Sequence, residues 1–284
     1  MPSSELGVVA SEIAHGRNTW FRYALADLTQ AKAVSLYWDL NPNTFTPNDP
    51  PFVFSVLRAT EFTSDITAYT EIITDLIDTY SYTDTSVPSI GKWPHYYYII
   101  KLDTNLRTVY SPPITLYGGL TVKQRAYARG IIRRALLSPR HVPHFSCILL
   151  KRKHSGTPCS CIDSITKEIL KPDCTACYGT GFAGGYYQEG SEKTLIVNSP
   201  LNSIETVDIS TKVGSMTPAK MAVRFSGLPP VRHNDVFVHV DTNRRFYVVS
   251  SKVAAEIHGF PLIQELELQL ADYKDVIYKF SLEG

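Results

Sequence analysis

Charge is scarce in this sequence, and cysteine scarcer. Asp, Glu, Lys and Arg make up 19% of the 284 residues, against about a quarter in an ordinary soluble domain. No apolar run approaches the roughly 18 residues that a membrane-spanning helix needs, so no membrane partner is expected. The opening MPSSELGVVASEIAHGRNTW lacks a basic start followed by a long apolar stretch. No secretory leader is expected there, and synthesis in a reducing cytoplasm is the expectation. There is no Gly-x-Ser-x-Gly, no His-Glu-x-x-His and no pair of acids in a catalytic setting. Strand–helix alternation of the dinucleotide-binding kind is also missing. His141, His144, His154, His233, His239 and His258 are scattered. A hydrolase with an accessory β domain is therefore the weaker reading, and the chain is expected not to be an enzyme.

The few cysteines are concentrated. Four of the five form Cys159-x-Cys161 and, after twelve residues, Cys174-x-x-Cys177. Two close pairs on a short connection can converge four thiolates on one tetrahedral ion, and a structural zinc is expected. Two cystines are the competing reading, disfavoured in a reducing compartment. Cys-x-Cys is tighter than the usual spacing, so His154 or Asp163 could replace one ligand. Four thiolates leave no open position for water, which argues against catalysis at the metal. Gly179 and Gly181 follow the second pair; Gly179 would let the chain turn under the metal, with backbone N–H groups pointing at sulfur. Cys147, in the apolar run 145–150, reads as a core residue.

Charge is partitioned along the chain. Residues 1–120 carry seven basic and twelve acidic side chains, 121–190 eleven and four, and 191–284 ten and eleven. Within 119–140 a helix is expected, with Leu120, Tyr127, Ala128, Ile131 and Ala135 on one face and Arg125, Arg129 and Arg133 on another. From 121 to 153 there are nine Lys or Arg and no acid. Arg125, Arg129, Arg133, Arg134, Lys151, Arg152 and Lys153 are thus candidates for contact with DNA or with an acidic neighbouring subunit. A solvated face paired with acids elsewhere in the fold is the plainer alternative.

The rest reads as mainly β. Residues 1–30 form an arm, weakly helical over 5–14, expected to lie on a partner or on its own body. Residues 31–118 form a β domain with strands at 33–40, 52–59, 96–102 and 108–117, and a helical insertion at 66–80. Residues 119–190 hold the basic helix and the cysteine segment, with a strand at 145–153 and β structure restarting at 184–187. Residues 191–284 hold strands at 194–197, 203–209, 221–225, 235–241, 245–250, 253–257, 262–271 and 276–280, suggesting a small barrel or sandwich.

Two resemblances follow. Val34-x-Leu36-x-Trp38 and Tyr-Tyr-Tyr-Ile-Ile-Lys-Leu at 96–102 resemble the second and penultimate strands of a fibronectin type III or immunoglobulin-like sandwich. The stretches RRALLSPRHVPHFSCILLKRKHSGTPCSCID, CTACYGTGFAGGYY, NDVFVHVDTNRRFYVVSSKV and LIQELELQLADYKDVIYKF resemble a neck, or head-completion, protein of a tailed bacteriophage with a contractile tail. The resemblance spans roughly 115–284. It implies a virion protein assembled in the bacterial host cytoplasm. It further implies a C-terminal β-barrel and a homo-oligomeric ring between the portal and the tail-terminator or other neck proteins, around packaged DNA. A zinc-knuckle nucleic-acid-binding protein is the alternative.

Overall fold

In this computed structural model the described residues are 20–30, 33–46, 48–87, 96–116, 120–136, 144–163, 166, 168–189, 195–198 and 220–282. The expected helical spacing at 5–14 and strand at 203–209 lie outside them. The chain divides into two units, residues 1–120 with 154–158, and residues 121–153 with 159–284.

The first unit contains β1 (Phe21–Gln30), β2 (Ala33–Leu40), β3 (Val53–Ala59), β4 (Thr70–Ile77), β5 (Ser81–Asp84), β6 (Tyr97–Asp103), β7 (Thr108–Tyr110) and β8 (Ile114–Thr115). They form two antiparallel sheets, ordered β1-β2-β5 and β4-β3-β6-β7, with β8 also on β6. This arrangement is consistent with a β-sandwich. Val34, Leu36 and Trp38 of β2 and Phe54, Val56, Tyr98, Ile100 and Leu102 of the facing sheet are all fully buried. Trp38 meets Phe54 at 5.6 Å, and Phe54 meets Tyr80 at 5.4 Å. Burying each such side chain contributes about 1.5–3 kcal/mol.

The end of the arm lies on its own body: Phe21–Gln30 is β1, paired along β2 from Phe21↔Leu40 to Gln30↔Ala33. One expectation is corrected here. The helical insertion is a short 3-10 turn, Ile66–Ala68, followed by strand β4. Val56 pairs Ile73 while Phe54 pairs Leu76, and Leu57 pairs Glu71, so β4 carries extra residues at two bulges. Asp75 sits at φ 60° in this region. Each bulge shifts the two-residue alternation by one, and the strand then imitates three- and four-residue helical steps.

A carboxylate joins the two sheets. Asp84, fully buried on β5, accepts from Arg58 Nη1 of β3 at 2.7 Å and from the Tyr98 hydroxyl of β6 at 3.0 Å. Ser86 donates to its other oxygen through both amide and hydroxyl. Burial pushes this carboxyl up, but the Ser86 bonds and the Arg58 guanidinium outweigh it and hold it below the usual carboxylate range.

The second unit contains α1 (Val122–Leu136), β9 (His144–Arg152), β10 (Tyr186–Glu189), β11 (Leu195–Asn198), β12 (Lys220–Ser226), β13 (Val236–His239), β14 (Arg245–Ile257) and β15 (Phe260–Leu270). Thr121 starts α1 with a reciprocal cap: its hydroxyl accepts from Gln124 N, and Gln124 Oε1 accepts from Thr121 N at 2.9 Å. The strand order is β10-β9-β11-β12-β15-β14-β13, and β13 also pairs β9. Strand β9 is the hub. Residues 144–147 pair β11, 149–152 pair β10, and 147–150 pair β13. Cys147 and Leu149 lie in one apolar cluster with Phe225, Phe237 and Leu268, while Leu150, Val236 and Val238 lie in a second with Tyr186 and Ile277. Cys147 is thus a core residue, and burial pushes its thiol up.

The expected strand at 276–280 is instead a 3-10 turn, Val276–Lys279. Asp275 caps it by accepting from Ile277 N at 3.0 Å. Buried Arg245 donates to the carbonyls of Ile277 and Phe280, fixing the turn at its far end. The separate strands expected at 245–250 and 253–257 are one strand, β14, whose bulges hid its continuity.

Replacing Asp84 with Ala strips a buried tyrosine hydroxyl of its acceptor and Arg58 of its carboxylate, so urea denaturation at neutral pH should show a loss of about 2–4 kcal/mol. Because the folded carboxyl titrates below its unfolded value, its contribution is present above about pH 4 and disappears as pH falls through the depressed value. The gap between wild type and Asp84→Ala should therefore close in acid.

Candidate metal centre

Strands β9 and β10 pair antiparallel, and the cysteine segment is the excursion between them. Residues 154–158 group with the first unit, where Ser155 Oγ and the Tyr80 hydroxyl are 2.8 Å apart. The chain re-enters the second unit at Cys159. Two tight turns then face each other: Ile162 N donates to Cys159 O at 3.1 Å, and Tyr178 N donates to Cys174 O at 2.7 Å. An isolated bridge, Ile162↔Ile169, and the bond from Leu170 N to Cys161 O close the connection. Cys159 N donates to Gly181 O, and Gly184 N to Ala176 O, tying the turns to the return path.

The result is one cluster of Cys159, Cys161, Cys174 and Cys177, with all four Sγ atoms within 4.8 Å of one another. Cys161 and Cys177 are 3.3 Å apart, and Cys159 and Cys174 are 3.9 Å apart. A tetrahedron with metal–sulfur bonds of 2.3 Å has edges of about 3.8 Å. A cystine needs about 2.05 Å, and none of the five cysteines is so bonded. The cluster is made of the four cysteines alone. Asp163, considered as a substitute ligand, accepts from Thr166 N at 3.1 Å, and His154 is outside the cluster.

The electrostatics act oppositely on two of the thiols. The backbone N–H groups of Ala176 and Cys177 point at Cys174 Sγ and, with the neighbouring sulfurs, push its thiol down to about 7. Burial, reinforced by the other three sulfurs, pushes the Cys161 thiol up. A cation among the sulfurs would reverse that penalty and expel the remaining protons. What the arrangement can do is hold one tetrahedral ion in a closed shell of four sulfurs.

Left-handed backbone makes the second turn. The residue immediately after Cys177 is Tyr178, at φ 49°, and Gly179 follows at 75°. Tyrosine in this region costs about 1–2 kcal/mol, and its ring is held against Phe280 at 5.1 Å. Gly185 is required for a different reason: a Cβ there would lie 2.4 Å from Cys177 O. Nothing in the sequence pattern marked Tyr178 for this role.

The basic candidates separate. Arg129, Arg133 and Arg134 are exposed on α1, with Arg134 Nε donating to Gly130 O, and Arg125 is half-buried. Lys151 belongs elsewhere. It is 3% exposed, and its ammonium lies 2.5 Å from Asp235 Oδ2 and donates to Pro230 O at 2.6 Å. Asp235 also accepts from the backbone N–H groups of Arg152 and Arg232. A charge buried and paired in this way cannot meet a phosphate, so Lys151 is a structural residue. The sequence pattern gave no sign of Asp235, which sits 84 residues away with no motif to announce it. Half-buried Lys153 donates to Ala183 O at 3.1 Å, and Arg152 is half-buried.

No protein-family profile and no curated protein matches this chain. A solved structure, "Titin kinase and its flanking domains", aligns over 88% of the chain and 36% of its own length at 10% identity. Its TM-score of 0.25 is too low to bear on fold or function. Among the described residues no helix is long and apolar enough to cross a membrane.

Ser at any one of Cys159, Cys161, Cys174 or Cys177 should lower the bound metal of dialysed protein well below the wild-type value. Cys147→Ser should destabilise the fold and leave the metal content unchanged; elemental analysis distinguishes the two cases. Lys151→Met strands a buried carboxylate and should cost about 3–5 kcal/mol in chemical denaturation, with a smaller loss for Lys151→Met/Asp235→Asn together.

Proposed function

We propose that this chain is a structural subunit of the neck of a tailed bacteriophage, held in shape by one zinc ion on Cys159, Cys161, Cys174 and Cys177. Identical copies form a closed ring joining portal to tail around the DNA channel. The observation that carries the structural role is the sulfur cluster. Four thiolates fill a tetrahedral shell and leave no position for substrate or water, so the metal serves shape rather than chemistry. The sequence resemblance over 115–284 supplies the setting, because it runs through the basic helix, both cysteine pairs and the C-terminal strands.

The remaining modules fit this reading. The pairing circuit β9-β11-β12-β15-β14-β13 and back to β9 is read as a small barrel, the expected body of a connector subunit. The three- and five-strand sheets of the first unit are read as a fibronectin III-like sandwich displayed on the outside. A second reading, nucleic-acid binding, draws on Lys123, Arg129, Arg133 and Arg134, all exposed on α1. Engaging four phosphates with them would weaken binding roughly 100-fold between about 50 and 200 mM salt.

Electron microscopy of the purified protein over a range of concentrations, together with immunolabelling of assembled particles, tests the proposal. Closed rings and label at the head–tail junction are expected. A monomer at every concentration, with no label on particles, would refute it.

A further inference from the structure

The two units have opposite charge. Residues 1–120 with 154–158 carry seven basic and twelve acidic groups, a net −5, while the remainder carries twenty-one basic and fifteen acidic, a net +6. Each excess has a definite surface. On α1, Ala128 and Leu136 are buried, whereas Lys123, Ala126, Tyr127, Arg129, Arg133 and Arg134 are exposed. Tyr127 is 63% exposed among these cations. No acid occurs anywhere from 121 to 153.

The acidic counterpart is the outer strand of the first unit and the segment leading into it. From 59 to 91 the sequence has six acids and no Lys or Arg. Glu61, Asp65, Glu71 and Asp75 are exposed, as are Phe62 and Ile77. Among the described residues β4 pairs only with β3, so its other edge is open. An open edge normally invites association, and acidic side chains restrict what can approach it. One surface is thus cationic around an exposed tyrosine, and the other is anionic around an exposed phenylalanine and isoleucine.

We infer that the cationic face of α1 on one copy docks on the acidic 61–77 edge of the next copy. This rests on the ring reading above and names the contact that closes the ring. Joining two different surfaces of identical chains is a head-to-tail contact, the kind that generates rings when the rotation closes. Two observations favour a second copy over DNA as the occupant. Lys151 is consumed internally by Asp235, which reduces the basic run. The matching acidic patch is on the same polypeptide, and its excess opposes long-range attraction to a polyanion.

Charge exchange tests the contact, with oligomeric state read by mass photometry and electron microscopy on the metal-loaded full chain. Arg129→Glu/Arg133→Glu and Glu61→Lys/Glu71→Lys should each raise the concentration needed for assembly at least about tenfold. A chain carrying all four substitutions should assemble again, because the two surfaces have exchanged sign. All six side-chain positions on α1 named above, and both glutamates, are exposed, and circular dichroism with retained metal identifies folded variants. Rings from Arg129→Glu/Arg133→Glu at the wild-type concentration would overturn this contact and leave the ring reading standing. Wild-type protein that never assembles would overturn both. Assembly lost in the pairs but not restored in the fourfold chain would overturn the contact, as would loss of duplex DNA binding with assembly intact.

Discussion

Four sulfur atoms brought within 4.8 Å of one another are the constraint on which the middle of this protein depends. The excursion between β9 and β10 has almost no apolar interior of its own. The cysteines pack with Ile169 and little else, and Ser160, Thr166, Glu168, Leu170, Lys171, Pro172, Asp173, Thr175 and Ala176 are exposed. Such a segment cannot offset the entropy of ordering its backbone by burial. Thiolate–metal bonds can, because the free energy of binding becomes free energy of folding. The left-handed backbone at Tyr178 lies in the turn that carries Cys174 and Cys177, and Gly185 admits the close approach to Cys177 O because it has no Cβ.

Outside the cluster, buried polar groups set the geometry that apolar packing leaves undetermined. Asp49, fully buried, accepts from the amide and hydroxyl of Thr46 and from Arg107 Nε and Nη2. Asp84 ties the two sheets of the first unit. In the second unit Gln264 donates to Ser226 O, Gly227 O and Pro229 O and accepts from Val231 N, which holds the loop after β12. Lys151 and Asp235 act similarly where β9 meets β13. Each group is matched by donors or acceptors that a slipped register would strand, so these networks reinforce the observed pairing.

The cysteine cluster was legible because its signal is local: pair spacing and cysteine scarcity identify it without knowledge of the fold. The alternation of Val34, Leu36 and Trp38 likewise placed β2 at residues 33–40. What was not legible depends on distant residues or on irregularity. Bulges in β4 and β14 broke the period-two pattern, once into an apparent helix and once into two strands. Val236 and Val238 lie in one apolar cluster and Phe237 in the other, so β13 is covered on both faces and shows no polar face in the sequence. Lys151 sat in a basic run that suggested solvent or phosphate, and only the fold brought Asp235 to it. The 3-10 turn at Val276–Lys279 depends on Arg245, over thirty residues upstream.

The central claim is that the four thiols are ligands of one ion rather than free or oxidised. X-ray absorption at the zinc edge of protein purified without added chelator addresses it most directly. The account predicts one zinc per chain in a shell of four sulfurs at about 2.3 Å. A shell containing nitrogen or oxygen in place of sulfur, or metal-free protein whose cysteines are joined as cystines, would contradict it.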